Sequence, residues 1–130
     1  MTFESVEGGI QTTLVAGGSA EGRAARVLDM LARRSAGERW ALLVSSPAAW
    51  DALQGQASVG ADPEVFLLLT AGGCPCCTLA AVLQRDLNQL LASSRPRRLL
   101  IDVPDEAHKQ RVRSMLLQPW YKRLLQLTAE

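Results

Sequence analysis

The chain is 130 residues long, 48% of its residues are hydrophobic, and its formal net charge is +1 at pH 7. This balance excludes the strong positive field typical of nucleic-acid-binding domains, and no run approaches the roughly 18 apolar residues that cross a membrane. The N-terminus lacks the basic start and apolar core of a secretory signal. We therefore expect one domain over residues 1–130 in a reducing cytoplasm, with no nucleic-acid or membrane partner.

The hydrophobic pattern predicts strands and helices in alternation. Residues 1–10 are polar and contain glycine, which indicates a loose arm. Apolar and β-branched runs predict four strands, at residues 11–16, 40–45, 64–70 and 98–103. A helix is predicted after each strand: after the glycine-rich turn that ends at Gly22, at 48–53, at 79–91, and from residue 104 onward with an interruption at Pro119. Residues 55–63 contain glycine and serine and are predicted to form a loop. We expect Leu124 and Leu125 on a buried helical face, and Trp40, Trp50 and Trp120 in core or half-buried positions.

This alternation predicts an α/β fold with three layers. Parallel strands joined by right-handed crossovers place helices on both faces of one sheet, here of about four to five strands. Ligands of such sheets bind at the carboxyl ends of the strands. The glycine-rich turn at 17–22 and a cysteine-rich turn at 71–78 both follow predicted strands, so we expect both turns at that edge.

The cysteine-rich turn holds all three cysteines of the chain, Cys74, Cys76 and Cys77. An odd number of cysteines in one turn does not form a disulfide framework. Clustered thiolates favour zinc or another soft metal, and zinc usually takes four ligands. The fourth ligand is then water, another side chain such as His108, a second chain or a partner protein. The alternative is that the cysteines are small buried apolar residues.

These landmarks resemble the CobW-type P-loop GTPases, metal-chaperone relatives of the HypB and UreG proteins. The stretch Gly73-Cys74-Pro75-Cys76-Cys77 matches the Gly-Cys-x-Cys-Cys motif of that family in full. The following helix and the strand that ends at Asp102, where the family usually has glutamate, fall at the expected separations. The resemblance spans roughly residues 11–117. It implies a P-loop NTPase-like fold, a phosphate-binding loop at 17–24 and a metal site at the cysteines.

The phosphate loop departs from the family pattern Gly-x-x-x-x-Gly-Lys-Ser/Thr. Gly17 and Gly22 keep the spacing, but Arg23 replaces the lysine and Ala24 replaces the hydroxyl that binds magnesium. Glu21 adds a negative charge where phosphates would lie. The resemblance therefore implies a shortened relative with a degenerate Walker A loop, without catalytic residues for GTP hydrolysis. A simple turn between strand and helix is the alternative reading of residues 17–22.

Three functions remain open from the sequence. The first is a metal-binding protein with an accessory or metallochaperone role, which holds Zn²⁺ or another soft ion at the three cysteines. The second is a GTP-binding protein or weak GTPase that uses Gly17, Gly22 and Arg23, with Asp102 as a candidate magnesium ligand. The third is a thiol redox or structural module.

We also expect a protein partner or a homodimer, because an exposed sheet edge favours pairing. The arginines at 95–98 form a solvated loop or dock an acidic partner.

Overall fold

The computed structural model describes residues 9–70 and 79–130, and the side chains of residues 79 and 80 are not described. This part of the chain contains a five-stranded sheet and six helices. The strands are β1 (Ile10–Ala16), β2 (Trp40–Val44), β3 (Val65–Leu69), β4 (Arg98–Val103) and β5 (Leu125–Thr128). The helices are α1 (Ala20–Leu31), α2 (Pro47–Gln54), α3 (Ala57–Gly60), α4 (Leu79–Ser94), α5 (Glu106–Leu116) and α6 (Pro119–Leu124).

The sheet has the strand order β3-β2-β4-β1-β5, and every neighbouring pair is parallel. The first two crossovers run from β1 towards β3, and the last two run back towards β5. Because right-handed crossovers in opposite directions use opposite faces, α1–α3 cover one face and α4–α6 cover the other. The predicted three-layer α/β fold, of the P-loop NTPase type, is confirmed.

The core consists of two apolar layers, one on each face of the sheet. Successive residues of a strand point to opposite faces, so Leu42 packs with α1 and α2 whereas Leu43 packs with α4 and α5. Strands β2 and β4 are inner strands covered on both sides, which explains their nearly continuous apolar sequences. Leu87 of α4 is fully buried in the apolar layer between the sheet and α4–α6.

Four sequence predictions were wrong in detail. Ile10, assigned to a loose arm, is buried and begins β1; the rest of that arm, residues 1–8, lies outside the described residues. Leu125 begins strand β5 instead of continuing a helix. Residues 57–60 form the short helix α3 where only a loop was expected. Trp120 is 58% exposed, whereas Trp40 is buried as predicted.

The helices lie against the sheet, and the longest of them, α4, has 16 residues. Across residues 9–70 and 79–130, no helix combines the length and apolar character needed to cross a membrane.

The two-layer core predicts unequal effects of two leucine truncations. We expect Leu87→Ala, at 0% exposure, to lower the free energy of unfolding by about 2–5 kcal/mol, because it leaves a cavity between α4 and the sheet. The matched control Leu117→Ala, at 48% exposure, should change it by less than about 1 kcal/mol. Urea denaturation of both variants measures the difference, and equal losses would contradict the described position of α4.

Candidate functional site

The carboxyl ends of β1 and β4 form the topological switch point of the sheet. These strands are neighbours, yet the chain leaves β1 towards β3 and leaves β4 towards β5. The two departing helices lie on opposite faces, so a crevice opens between the strand ends, which is where ligands bind in open α/β sheets. The loop that follows β1 is the glycine-rich turn, and Asp102 lies near the end of β4.

The glycine-rich turn is short. Gly17 and Gly18 have φ angles of +86° and +74°, a backbone conformation that strains other residues. Ser19 then caps α1, and its Oγ accepts a hydrogen bond of 2.9 Å from the backbone N–H of Gly22. Because α1 already begins at Ala20, Gly22 lies in the first helical turn. Only residues 17–19 connect the strand to the helix.

Arg23 lies in the crevice, where its buried side chain contacts three groups. Its Nε donates to Oδ1 of Asp102, and the two side chains are 4% and 2% exposed. Its Nη1 donates to the carbonyl oxygens of Gly18 at 2.8 Å and Pro104 at 3.3 Å. The guanidinium therefore connects the turn after β1 to the segment after β4.

The second oxygen of Asp102 is also engaged. Oδ2 accepts hydrogen bonds from the backbone N–H and the hydroxyl of Ser45, at 3.3 and 3.2 Å. Ser45 follows β2, so the carboxylate bridges the ends of three strands. A buried charge is tolerated when it is paired and its remaining hydrogen-bonding positions are satisfied, and Arg23 and Ser45 meet both conditions for Asp102.

A second arginine, Arg26, holds the same turn from outside. Its Nη2 donates to the carbonyl oxygen of Ala16 at 2.5 Å, its Nη1 to that of Gly17 at 3.3 Å, and its Nε to Glu130 at 2.5 Å. The sequence pattern did not single out Arg26. Its position three residues after Arg23, on the same side of α1, was the available signal. The role of Ser45 had no local signal.

Cys74, Cys76 and Cys77 lie outside the described residues. The flanking residues place the ends of that segment. Strand β3 ends at Leu69, and the Thr70 N–H donates to the carbonyl oxygen of Val44 at 2.8 Å. The hydroxyl of Thr70 is buried and has no hydrogen-bond partner among the described residues. Two strands separate β3 from β1, so about 14 Å of sheet separates their carboxyl ends.

His108 follows β4, which is separated from β3 by β2 alone. Its backbone N–H and its Nδ1 lie 2.9 and 2.8 Å from Oδ1 of Asp105, the cap of α5. The hydrogen bond from the His108 N–H, reinforced by that from the imidazole, holds the pKa of Asp105 below its usual value. Within the described ranges, no three His, Cys, Asp or Glu side chains are grouped to hold a metal ion.

The burial of the Arg23–Asp102 pair predicts strong coupling between the two residues. We expect Arg23→Met to lower the free energy of unfolding by about 3–5 kcal/mol, because it leaves a buried carboxylate without its counter-ion. Adding Asp102→Leu should restore much of that loss, since no buried charge then remains. The exposed pair of Arg33 and Asp29 supplies the control, and Arg33→Met should cost less than about 1 kcal/mol. Urea denaturation measures all three variants, and a double variant that is no more stable than Arg23→Met would contradict the coupling.

No family model matches the chain, and no solved structure matches it. The chain is 30% identical over 119 residues to the protein named zinc chaperone YeiR of Escherichia coli (strain K12). The aligned part is 92% of this chain but 35% of that relative, so the chain spans about a third of its length. This similarity supports the CobW-type family for the chain.

Proposed function

We propose that this chain binds zinc, or another soft metal ion, through Cys74, Cys76 and Cys77 and serves as a zinc chaperone or accessory protein of the CobW type. In this proposal the ion is cargo, and three thiolates form an incomplete tetrahedral shell. A fourth ligand then comes from water, from His108, from a second copy or from a protein that receives the ion. An incomplete shell suits transfer, because a new ligand can enter before an old one leaves.

The observation that carries the proposal is the place of the cysteine segment in the chain. Residues 71–78 connect the carboxyl end of β3 to α4, so the three thiols belong to a loop that starts at the ligand-binding edge of the sheet. The similarity to a protein named zinc chaperone supports zinc as the ion. The unpartnered hydroxyl of Thr70, directly before this loop, leaves a hydrogen-bond donor available to a group in it.

We further propose that GTP hydrolysis has been lost. Arg23, at the position of the phosphate-binding lysine, is buried and engaged by Asp102 and two carbonyl oxygens. Ala24, at the position of the hydroxyl that would bind magnesium, is buried and has no ligand atom. Because α1 begins at Ala20, only three residues connect it to β1. A Walker A loop is longer and surrounds the phosphates. These features support a turn whose role is structural.

A second candidate, nucleotide binding by Gly17, Gly22 and Arg23, is favoured by one observation. Gly17 and Gly18 adopt positive φ angles at the switch point. Among the described residues, apart from the neighbours of Gly17 in the chain, no atom lies within 4 Å of the position that a Cβ atom would take on Gly17. The backbone there is open on one side, as a phosphate would require. A nucleotide would have to break the ion pair between Arg23 and Asp102, or contact Arg23 while that pair stays intact.

The metal proposal predicts that zinc affinity depends on the thiols. We expect one zinc ion per chain by competition with a chromophoric chelator, and a loss of at least about 10-fold in affinity for each Cys→Ser substitution. Loss of a direct ligand should cost at least as much as loss of an outer-shell partner. Affinity should also fall with decreasing pH, because thiolates must release protons to bind.

His108→Gln identifies the fourth ligand in this experiment, because it leaves all three thiols. A loss of about 10-fold in affinity would assign the fourth position to His108, whereas an affinity within a few-fold would leave that position to water, a second copy or a receiving protein. Circular dichroism checks that each variant is folded. Unchanged zinc affinity in the variant that lacks all three cysteines would refute the metal proposal.

A structural role for the turn at residues 17–19, with Arg23 held by Asp102, predicts that GTP does not bind. Calorimetry with millimolar GTP and Mg²⁺ should show no saturable signal, and the melting temperature should not change. A ligand present at 100 times its Kd would stabilise the fold by about 2.7 kcal/mol and would be seen as a clear shift. The double variant Arg23→Lys and Ala24→Thr tests whether side chains alone cause the loss. A Kd well below millimolar for the unsubstituted chain would favour the nucleotide-binding alternative.

A further inference from the structure

A polar cleft lies at the amino edge of the sheet, opposite the switch point. It has a volume of about 200 Å³ and lies beside the first residues of β1, β2, β4 and β5. Its walls include the side chains of Arg33, Glu38, Trp40, Arg97, Arg98 and Gln126. Three arginines and one glutamate leave two excess positive charges around a space large enough for a single anionic group.

Two of the three arginines that line the cleft, Arg97 and Arg98, have no carboxylate partner in the described part of the chain, unlike other arginines at the amino edge of the sheet. Arg34 pairs with Asp62 and Arg39 pairs with Glu64, while Arg33 pairs with Asp29. Arg97 and Arg98 have no carboxylate within 4.0 Å among residues 9–70 and 79–130. Because Asp29 neutralises Arg33, the charges of Arg97 and Arg98 are opposed in the cleft wall by Glu38, and the cleft keeps a net positive charge.

Arg98 is held in a fixed orientation by its neighbours. Its Nη2 donates to the Thr13 hydroxyl at 3.2 Å, and its guanidinium lies 5.1 Å from the centre of the Trp40 ring. Trp40 is fixed in turn, because its Nε1 donates to Glu38 at 2.7 Å. The Nε of Arg98 is buried and has no acceptor among the described residues. A guanidinium held in a fixed orientation is the arrangement that oxyanion recognition favours.

We propose that this cleft binds an oxyanion, a phosphate or a carboxylate group, held by Arg97 and Arg98. The planar fork of an arginine matches both groups, and the volume fits one such group with the first atoms of its carrier. The carrier is either a small molecule or an acidic side chain of a peptide. This site is separate from the cysteine loop and from the switch point, since it lies at the other ends of the strands.

Two probes distinguish the carriers in one experiment. Inorganic phosphate and an acetylated Glu-Glu dipeptide amide are each titrated into the full chain at low salt while the indole N–H resonance of Trp40 is followed by NMR. Trp40→Phe assigns that resonance. We expect saturable shifts with at least one probe at concentrations up to about 10 mM, which corresponds to weak binding of a single group.

The variants decide whether the cleft is responsible. Arg97→Gln, at an exposed position, should weaken binding about 10-fold without loss of the fold, as expected for one charge-assisted contact. Arg39→Gln removes the same charge at the same edge outside the cleft, and it should leave affinity within about 2-fold. No saturable shift with either probe would overturn the proposal, and so would equal weakening by Arg97→Gln and Arg39→Gln, which would indicate diffuse attraction.

Discussion

The buried pair of Arg23 and Asp102 is the constraint on which the ligand edge of this fold depends. One guanidinium and one carboxylate, both nearly inaccessible to solvent, connect the turn after β1, the end of β4 and, through Ser45, the end of β2. In a low-dielectric site such a pair is kept only if its partners are fixed. The crevice at the switch point, where this fold type normally receives a ligand, is therefore occupied by the chain itself.

Because of this pair, the proposed function gives a structural role to the turn after β1 and a metal-binding role to the cysteine segment after β3. The turn after β1 is held by two arginines, with Arg23 inside the crevice and Arg26 outside it. The segment after β3 starts at an edge strand that two other strands separate from β1, and it carries all the thiols of the chain. The proposed zinc site therefore does not depend on an open switch point.

Much of the fold could be predicted from the sequence, because the inner strands are continuous apolar runs and α4 has a clear helical period. Strand β5 could not, since its four residues alternate weakly and its place is fixed by pairing with β1, whose sequence lies more than 100 residues away. The exposure of Trp120 was likewise not predictable, because it depends on how the short helix α6 meets the sheet.

The candidate site was predicted in parts. Arg23 and Asp102 were each singled out from the pattern, but their pairing joins positions 79 residues apart and only the folded topology brings them together. The contacts of Ser45 with Asp102 and of Arg26 with Glu130 are of the same long-range kind. The metal-ligand role of Cys74, Cys76 and Cys77 and the phosphate-binding role of Gly17, Gly22 and Arg23 stay predictions.

Native mass spectrometry of the chain, equilibrated with one equivalent of zinc and excess GTP and Mg²⁺, tests the central claim most directly. The account predicts a mass that corresponds to one zinc ion per chain and no nucleotide, because the thiols remain available while Arg23 and Asp102 close the switch point. A chain that carries GTP but no zinc would contradict it.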